Sequence, residues 1–130
     1  MPKTSQLVLS LESKPGVLAQ VASTLGRAGL NIAGICAGEA AGGRGKLRLL
    51  VDDPARASEA LKAAKLRVSQ EDALVLTLDN RPGALAEVAE KLGRARVNIK
   101  CAYATTSGSG PARVVLTVSN AAKAEAALGG

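Results

Sequence analysis

Two segments of this 130-residue chain place a basic residue, a proline and a glycine ahead of an aliphatic run. They are Ser13-Lys14-Pro15-Gly16-Val17-Leu18 and Asn80-Arg81-Pro82-Gly83-Ala84-Leu85. Proline is tolerated in the first turn of a helix, where its missing N–H costs nothing. A turn ahead of a helix N-terminus presents unpaired backbone N–H groups and the positive end of the helix dipole. Such groups suit a carboxylate. Gly16 and Gly83 lack a Cβ, so a small molecule can approach the backbone there. Further on stand Asn31-Ile32 and Asn98-Ile99, whose asparagine amides both donate and accept hydrogen bonds. This is chemistry of binding; the basic residues Lys14 and Arg81 beside each turn add attraction for an anion.

The rest of the composition points away from catalysis. The chain has no histidine, so it has no Ser-His or Cys-His nucleophile pair and no imidazole metal ligand. Cys36 and Cys101 stand far apart and without partners of zinc-binding spacing. No metal or cofactor is expected. Gly42-Gly43-Arg44-Gly45-Lys46 has the look of a phosphate loop, but Ala40 stands where its first glycine belongs and Leu47 follows the lysine. No apolar run is long enough to span a membrane, and the start, Met1-Pro2-Lys3-Thr4-Ser5, lacks a signal peptide's apolar stretch. A cytoplasmic location with reduced thiols is the expectation.

The elements that must position these turns come from a duplication. Shifted by 67 positions, the sequence lies over itself without a gap. Between residues 15 and 32 the overlap gives 12 identities in 18 positions. Each copy then reads alike. Leu7, Leu9 and Leu11, and again Leu74, Leu76 and Leu78, alternate as half-buried strands do. Val17, Leu18, Val21, Ala22 and Leu25 recur at helical spacing, as do Leu85, Val88, Ala89 and Leu92. Gly29 reads as a helix stop, a part for which its counterpart Arg96 is less suited. Second strands run from about residue 30 to 37 and from 97 to 105, followed by Gly-rich hairpin loops at 38–45 and 107–111. Leu47, Leu49 and Val51 match Val114, Leu116 and Val118 as third strands, and Asp53 and Asn120 can cap second helices. Residues 66–71 form a fourth strand in the first copy that feeds directly into the second, whereas the second copy has no such strand. The order is that of a split βαβ pattern, an α+β fold of two tandem ferredoxin-like (βαββαβ) units with helices on one face of antiparallel sheets. The expected domains are 1–71 and 72–130.

With both turns, both Asn-Ile pairs and the strand order in place, the chain resembles stand-alone tandem ACT-domain proteins. Leu11-Glu12-Ser13-Lys14-Pro15-Gly16-Val17-Leu18 and Leu78-Asp79-Asn80-Arg81-Pro82-Gly83-Ala84-Leu85 are similar to the opening motif of that family. Leu47-Arg48-Leu49-Leu50-Val51-Asp52-Asp53-Pro54 resembles a segment of its stand-alone members. The resemblance implies a non-catalytic sensor of free amino acids, with the ligand held at interfaces between ACT domains and linked to domain association. It implies as ligand-binding residues Ser13, Lys14, Pro15, Gly16, Val17, Leu18, Asn31 and Ile32, and in the second copy Asn80, Arg81, Pro82, Gly83, Ala84, Leu85, Asn98 and Ile99. The turn would hold the carboxylate, and an asparagine from a neighbouring domain the α-amino group. A homodimer and a regulated metabolic enzyme are the partners this implies.

Two rival readings belong to other classes. An assembly module that regulates an enzyme by protein contacts would use the sheet edge that the missing strand leaves open. An RNA-binding sheet would suit the fold and the net charge of +6. Such sheets stack bases on aromatics, however, and Tyr103 is the only aromatic residue, so nucleic acid is not an expected partner. Gly26 and Gly93, inside the helices, are expected to permit close packing. The copies differ in charge: residues 1–67 carry 10 basic and 5 acidic side chains, residues 68–130 carry 7 and 6. Two sites, if built, need not bind one ligand equally.

Overall fold

The structure, a computed structural model, describes residues 3–106 and 108–129. Its elements follow the order β1 (Lys3–Glu12), α1 (Val17–Arg27), β2 (Ile32–Ala40), β3 (Arg44–Val51), α2 (Pro54–Ala63), β4 (Val68–Leu78), α3 (Ala84–Arg94), β5 (Ile99–Thr105), β6 (Ala112–Val118) and α4 (Ala121–Ala127). The chain divides into two compact units, Ser5–Glu71 and residues 72–129 together with residues 3–4. Each is a ferredoxin-like α+β unit.

In the first unit β3 pairs antiparallel with both β1 and β2, and the opening residues of β4 follow β1 in the strand order. The Ser5 hydroxyl donates to Gln70 Oε1 at 2.9 Å along this last pairing. Leu7 stands opposite Leu49 and Leu9 opposite Leu47, which puts four leucines on one face. Val21 and Leu25 of α1 and Ala57 and Leu61 of α2 pack on that face, and all eight side chains are buried. Such burial is worth roughly 1.5–3 kcal/mol per large aliphatic side chain.

The second unit repeats the register. Leu74 faces Leu116 and Leu76 faces Val114 across β4 and β6, with Val88 and Leu92 of α3 and Ala124 of α4 packed above. Beside β4 the unit takes in residues 3–4 of β1, and Lys3 Nζ lies 4.0 Å from Asp72 Oδ2. The head of the first strand therefore sits where the second copy lacks a strand of its own. Even the irregularities recur: the pairing of β2 with β3 slips between Ile32 and Gly34, and that of β5 with β6 between Ile99 and Cys101.

Several local expectations shift. The first hairpin is tighter than its glycines suggest, because β2 extends to Ala40 and only a 3₁₀ turn, Ala41–Gly43, separates it from β3. In the second hairpin loop, Ser107 lies outside the described residues. The fourth strand of the first copy and the first strand of the second are one unbroken strand, β4. The prolines stand two residues ahead of the first helical residue and not in the first turn, since Gly16 and Gly83 are the N-caps. Of the helical stripe, Leu18 and Leu85 turn outward and are 51% and 50% exposed. Gly26 and Gly93 do not serve close packing: a Cβ at either would meet nothing within 4 Å. The capping roles of Asp53 and Asn120 are present, with side-chain oxygens accepting from Arg56 N–H at 3.1 Å and Lys123 N–H at 3.0 Å.

Candidate functional site

Each β–α turn is fixed by its glycine. Gly16 and Gly83 hold φ of 91° and 86°, a left-handed conformation that other residues enter only at a cost. The turn must swing from the strand end into the helix within a few residues, and this conformation makes the bend. Backbone bonds brace it: Gln20 N–H donates to Gly16 C=O at 3.0 Å, and Glu87 N–H to Gly83 C=O at 3.1 Å. The glycines are therefore required by the bend itself, whatever approaches it.

Around these turns the two copies part company. In the first, Ser13 N–H donates to Gly43 C=O at 2.8 Å, and the Ser13 hydroxyl donates to Glu39 Oε2 at 2.5 Å. Lys14 Nζ lies 3.4 Å from Glu12 Oε2, with both side chains well exposed. Between the end of β1, the first turn of α1 and the β2–β3 hairpin opens a cleft of about 260 Å³. Its apolar lining comes from Leu11, Val17, Leu18, Ala37 and Leu47, and Ser13, Lys14 and Glu39 contribute polar groups. Gly45, opposite Leu11 in the β1–β3 register, belongs to the same wall.

In the second copy Asn80 ties down the β5–β6 hairpin, its Nδ2 donating to Thr106 Oγ1 at 2.8 Å and to Gly108 C=O at 3.1 Å. Arg81 does not reach outward. Its Nη2 donates to both Glu87 carboxylate oxygens, at 3.1 and 3.2 Å, and its Nε lies 3.5 Å from Asp79 Oδ2. The Glu87 hydrogen bond and charge, and then those of Asp79, hold the guanidinium above its ordinary value. A cavity of about 300 Å³ occurs in this unit too, between the end of β4 and the first turns of α3, where Leu78, Asp79, Arg81, Ala84, Glu87 and Val88 line it with Leu128 beyond α4.

Asn31 and Asn98 have matching backbone roles. Asn31 N–H donates to Asp52 Oδ1 at 3.3 Å, and Asn98 N–H to Ser119 Oγ at 3.0 Å, while each carbonyl accepts from the same partner's N–H. Both residues are exposed. Ile32 and Ile99, which follow them, are half-buried against the two cores. Within a copy, each asparagine lies beyond the far end of the helix whose start the Pro-Gly turn forms. Eleven residues of helix put about 16 Å between the two ends. One copy therefore does not bring its asparagine to its own turn.

Glu39 and Gly45, both missed in the sequence reading, come to the first turn only through hairpin register. Comparing the copies could have flagged them, because Thr106 and Ala112 stand at the equivalent positions. Among the described residues no group of three or more metal-ligating side chains comes together, and no helix is long and apolar enough to cross a membrane.

Comparison with known proteins adds to this geometry. A family model described as an ACT domain pair matches residues 3–128. Among solved structures, the chain is similar to protein BT0572 from Bacteroides thetaiotaomicron, with 34% identity and a TM-score of 0.89 over 97% of this chain and 86% of that one. It also shares the fold of the regulatory subunit of aspartate kinase from Thermus thermophilus, at 22% identity and a TM-score of 0.71, over 98% of this chain and 91% of that one. No curated protein sequence matches.

Proposed function

The chain belongs to the ACT-domain-pair family, and on that premise we propose that it is a non-catalytic regulatory protein that binds a free amino acid. The observation that carries this reading is the repeated turn: two left-handed glycine caps, each following a basic residue and a proline at a helix start. The ligand's carboxylate meets the turn, and its α-ammonium meets an asparagine amide. Since Asn31 and Asn98 lie at the far ends of their own helices, that asparagine comes from another ACT domain. The ligand then binds the associated form better than the separated one and shifts the equilibrium by that difference in affinity. The assembly in this reading is a homodimer in the cytoplasm, and the regulated target is a metabolic enzyme. A solved protein of this fold that is named a regulatory subunit of aspartate kinase supports the class of role.

A second reading, an assembly module that binds no small molecule, draws on the outward-facing Leu18 and Leu85. A contiguous apolar patch built around them would serve contact with another protein. A thermal-shift screen against the twenty amino acids separates the two. A ligand at 100 times its dissociation constant adds about 2.7 kcal/mol, a rise of several degrees for a chain this size. A selective rise is the expected result. A flat response at millimolar concentration would leave the assembly module.

A further inference from the structure

The first unit holds a second and larger cavity, of about 640 Å³, between β1, the end of α2 and the start of β4. It lies wholly within Ser5–Glu71 and shares only Lys46 with the cleft at the turn. Three segments each bring it a cation. Lys46 stands on β3, opposite Ser10 of β1. Lys62 stands in the last turn of α2. Arg67 follows the left-handed Lys65, whose φ of 65° turns the chain out of the helix, and Leu66 N–H closes that turn on Leu61 C=O at 3.0 Å. Arg44 adds a fourth cation beside them: its Nη2 donates to Ser10 C=O at 3.0 Å and to Ser10 Oγ at 3.4 Å. Ser10 and Ser69 line the cavity with hydroxyls, and Val8, Leu66 and Val68 supply its apolar surface. No acidic residue lines it. Among the described residues, none of the four cations has a carboxylate partner.

Four of the ten basic residues in 1–67 thus gather around one concavity. Like charges so placed repel one another, and the fold does not demand them: in the second copy Pro111 stands at the position of Arg44 and Gly129 at that of Lys62. We propose that this cavity binds a small phosphate ester, as a ligand site separate from the Pro-Gly turn. A cleft lined by one sign of charge concentrates counter-ions. A phosphate monoester carries about −1.5 to −2 charge at pH 7 and three strong acceptor oxygens. Those oxygens suit donors that arrive from β3, from α2 and from the start of β4, whereas a planar carboxylate suits a single guanidinium fork. The volume falls within the roughly 300–1,000 Å³ of small-molecule sites, which leaves space beyond the phosphate for a carbon body against Val8, Leu66 and Val68. No aromatic side chain lines the cavity, so a nucleobase has nothing to stack on. The occupant is a compact phosphorylated metabolite, whatever the turn itself binds.

Calorimetric titration of the full chain tests this, with glycerol 3-phosphate as the compact ester and inorganic phosphate, AMP, citrate and an oligo-aspartate peptide beside it. Glycerol 3-phosphate should bind most tightly, at one molecule per chain, and its affinity should fall as salt rises. Lys62→Gln and Arg67→Gln should each weaken it by about tenfold or more. Arg67 is exposed, so Arg67→Gln should keep the wild-type denaturation midpoint. Lys100→Gln, which removes the same charge from an exposed position on β5, should leave the affinity unchanged. Equal losses in all three variants would reduce the attraction to net charge and overturn the proposal. Inorganic phosphate, AMP, citrate or the peptide binding as tightly as the ester would overturn it too, by assigning the cavity to another class of ligand. No binding of any phosphate at millimolar concentration would leave four solvated charges and no site. None of these outcomes touches the amino-acid reading.

Discussion

Gly29 and Arg96, equivalent positions in the two copies, hold the same left-handed backbone, with φ of 74° and 60°. Each closes its helix by the same pair of bonds. Gly29 N–H donates to Gly26 C=O and Leu30 N–H to Leu25 C=O, both at 3.0 Å. Arg96 N–H donates to Gly93 C=O at 3.0 Å and Val97 N–H to Leu92 C=O at 2.9 Å. These bonds satisfy carbonyls that a helix end leaves without partners, and they drop Leu30 and Val97 into the cores. The requirement is geometric, and the second copy meets it with a residue that dislikes the conformation. A left-handed L-residue costs about 1–2 kcal/mol relative to its ordinary state. Arg96→Gly should therefore stabilise the protein by up to ~1 kcal/mol, the gain trimmed by the looser unfolded chain. Gly29→Ala should destabilise it by about 1 kcal/mol. Urea midpoints at constant m-value test both.

The helical glycines give the opposite sign. Gly26 and Gly93 have room for a methyl group on every side and an ordinary helical backbone. Alanine in a helix interior is favoured over glycine by about 0.5–1 kcal/mol. Gly26→Ala and Gly93→Ala should each raise the denaturation midpoint by that amount, and a drop in either would reveal a contact at that helix face.

Asp53 and Asn120 cap α2 and α4 through the same oxygen-to-N–H bond three residues on. Replacing either by alanine removes the acceptor from a helix start and should cost about 1 kcal/mol. Serine at either position should recover most of it. Thermal melts of the four variants provide the comparison.

On the first unit's sheet, Glu71 Oε1 accepts from both Gln6 Nε2 and Arg48 Nε, each at 2.9 Å. Gln6 is fully buried, and the Arg48 and Glu71 side chains are only 15% and 24% exposed. Removing an acceptor that serves two shielded donors costs more than removing a surface ion pair, about 1–3 kcal/mol. Glu71→Ala should lose that much, while Lys3→Ala, whose pair with Asp72 is exposed and 4.0 Å long, should lose little. Equal losses in the two would place the Glu71 contribution at surface-pair strength.

Sequence alone determined the duplication, the strand and helix types, and the family. These follow from periodicity and from local chemistry: alternating leucines make half-buried strands, and Pro-Gly ahead of an aliphatic stripe starts a helix whichever neighbours surround it. Asp53 and Asn120 were legible as caps for the same reason, since donor and acceptor lie three residues apart in the chain. The candidate residues of the two turns were legible too, and so was the mismatch of Gln20 against Glu87. The consequence of that mismatch was not. That Arg81 folds back onto Glu87 depends on where the first helical turn places a carboxylate in three dimensions. The same holds for Gly45, whose place opposite Leu11 is a matter of hairpin register, and for Glu39, brought to Ser13 by strands that are distant in sequence. The separation of Asn31 from Gly16 came only from the length of the helix between them. Local physics writes elements into the sequence, while a site depends on distances between elements, and those were decided when the sheets and helices packed.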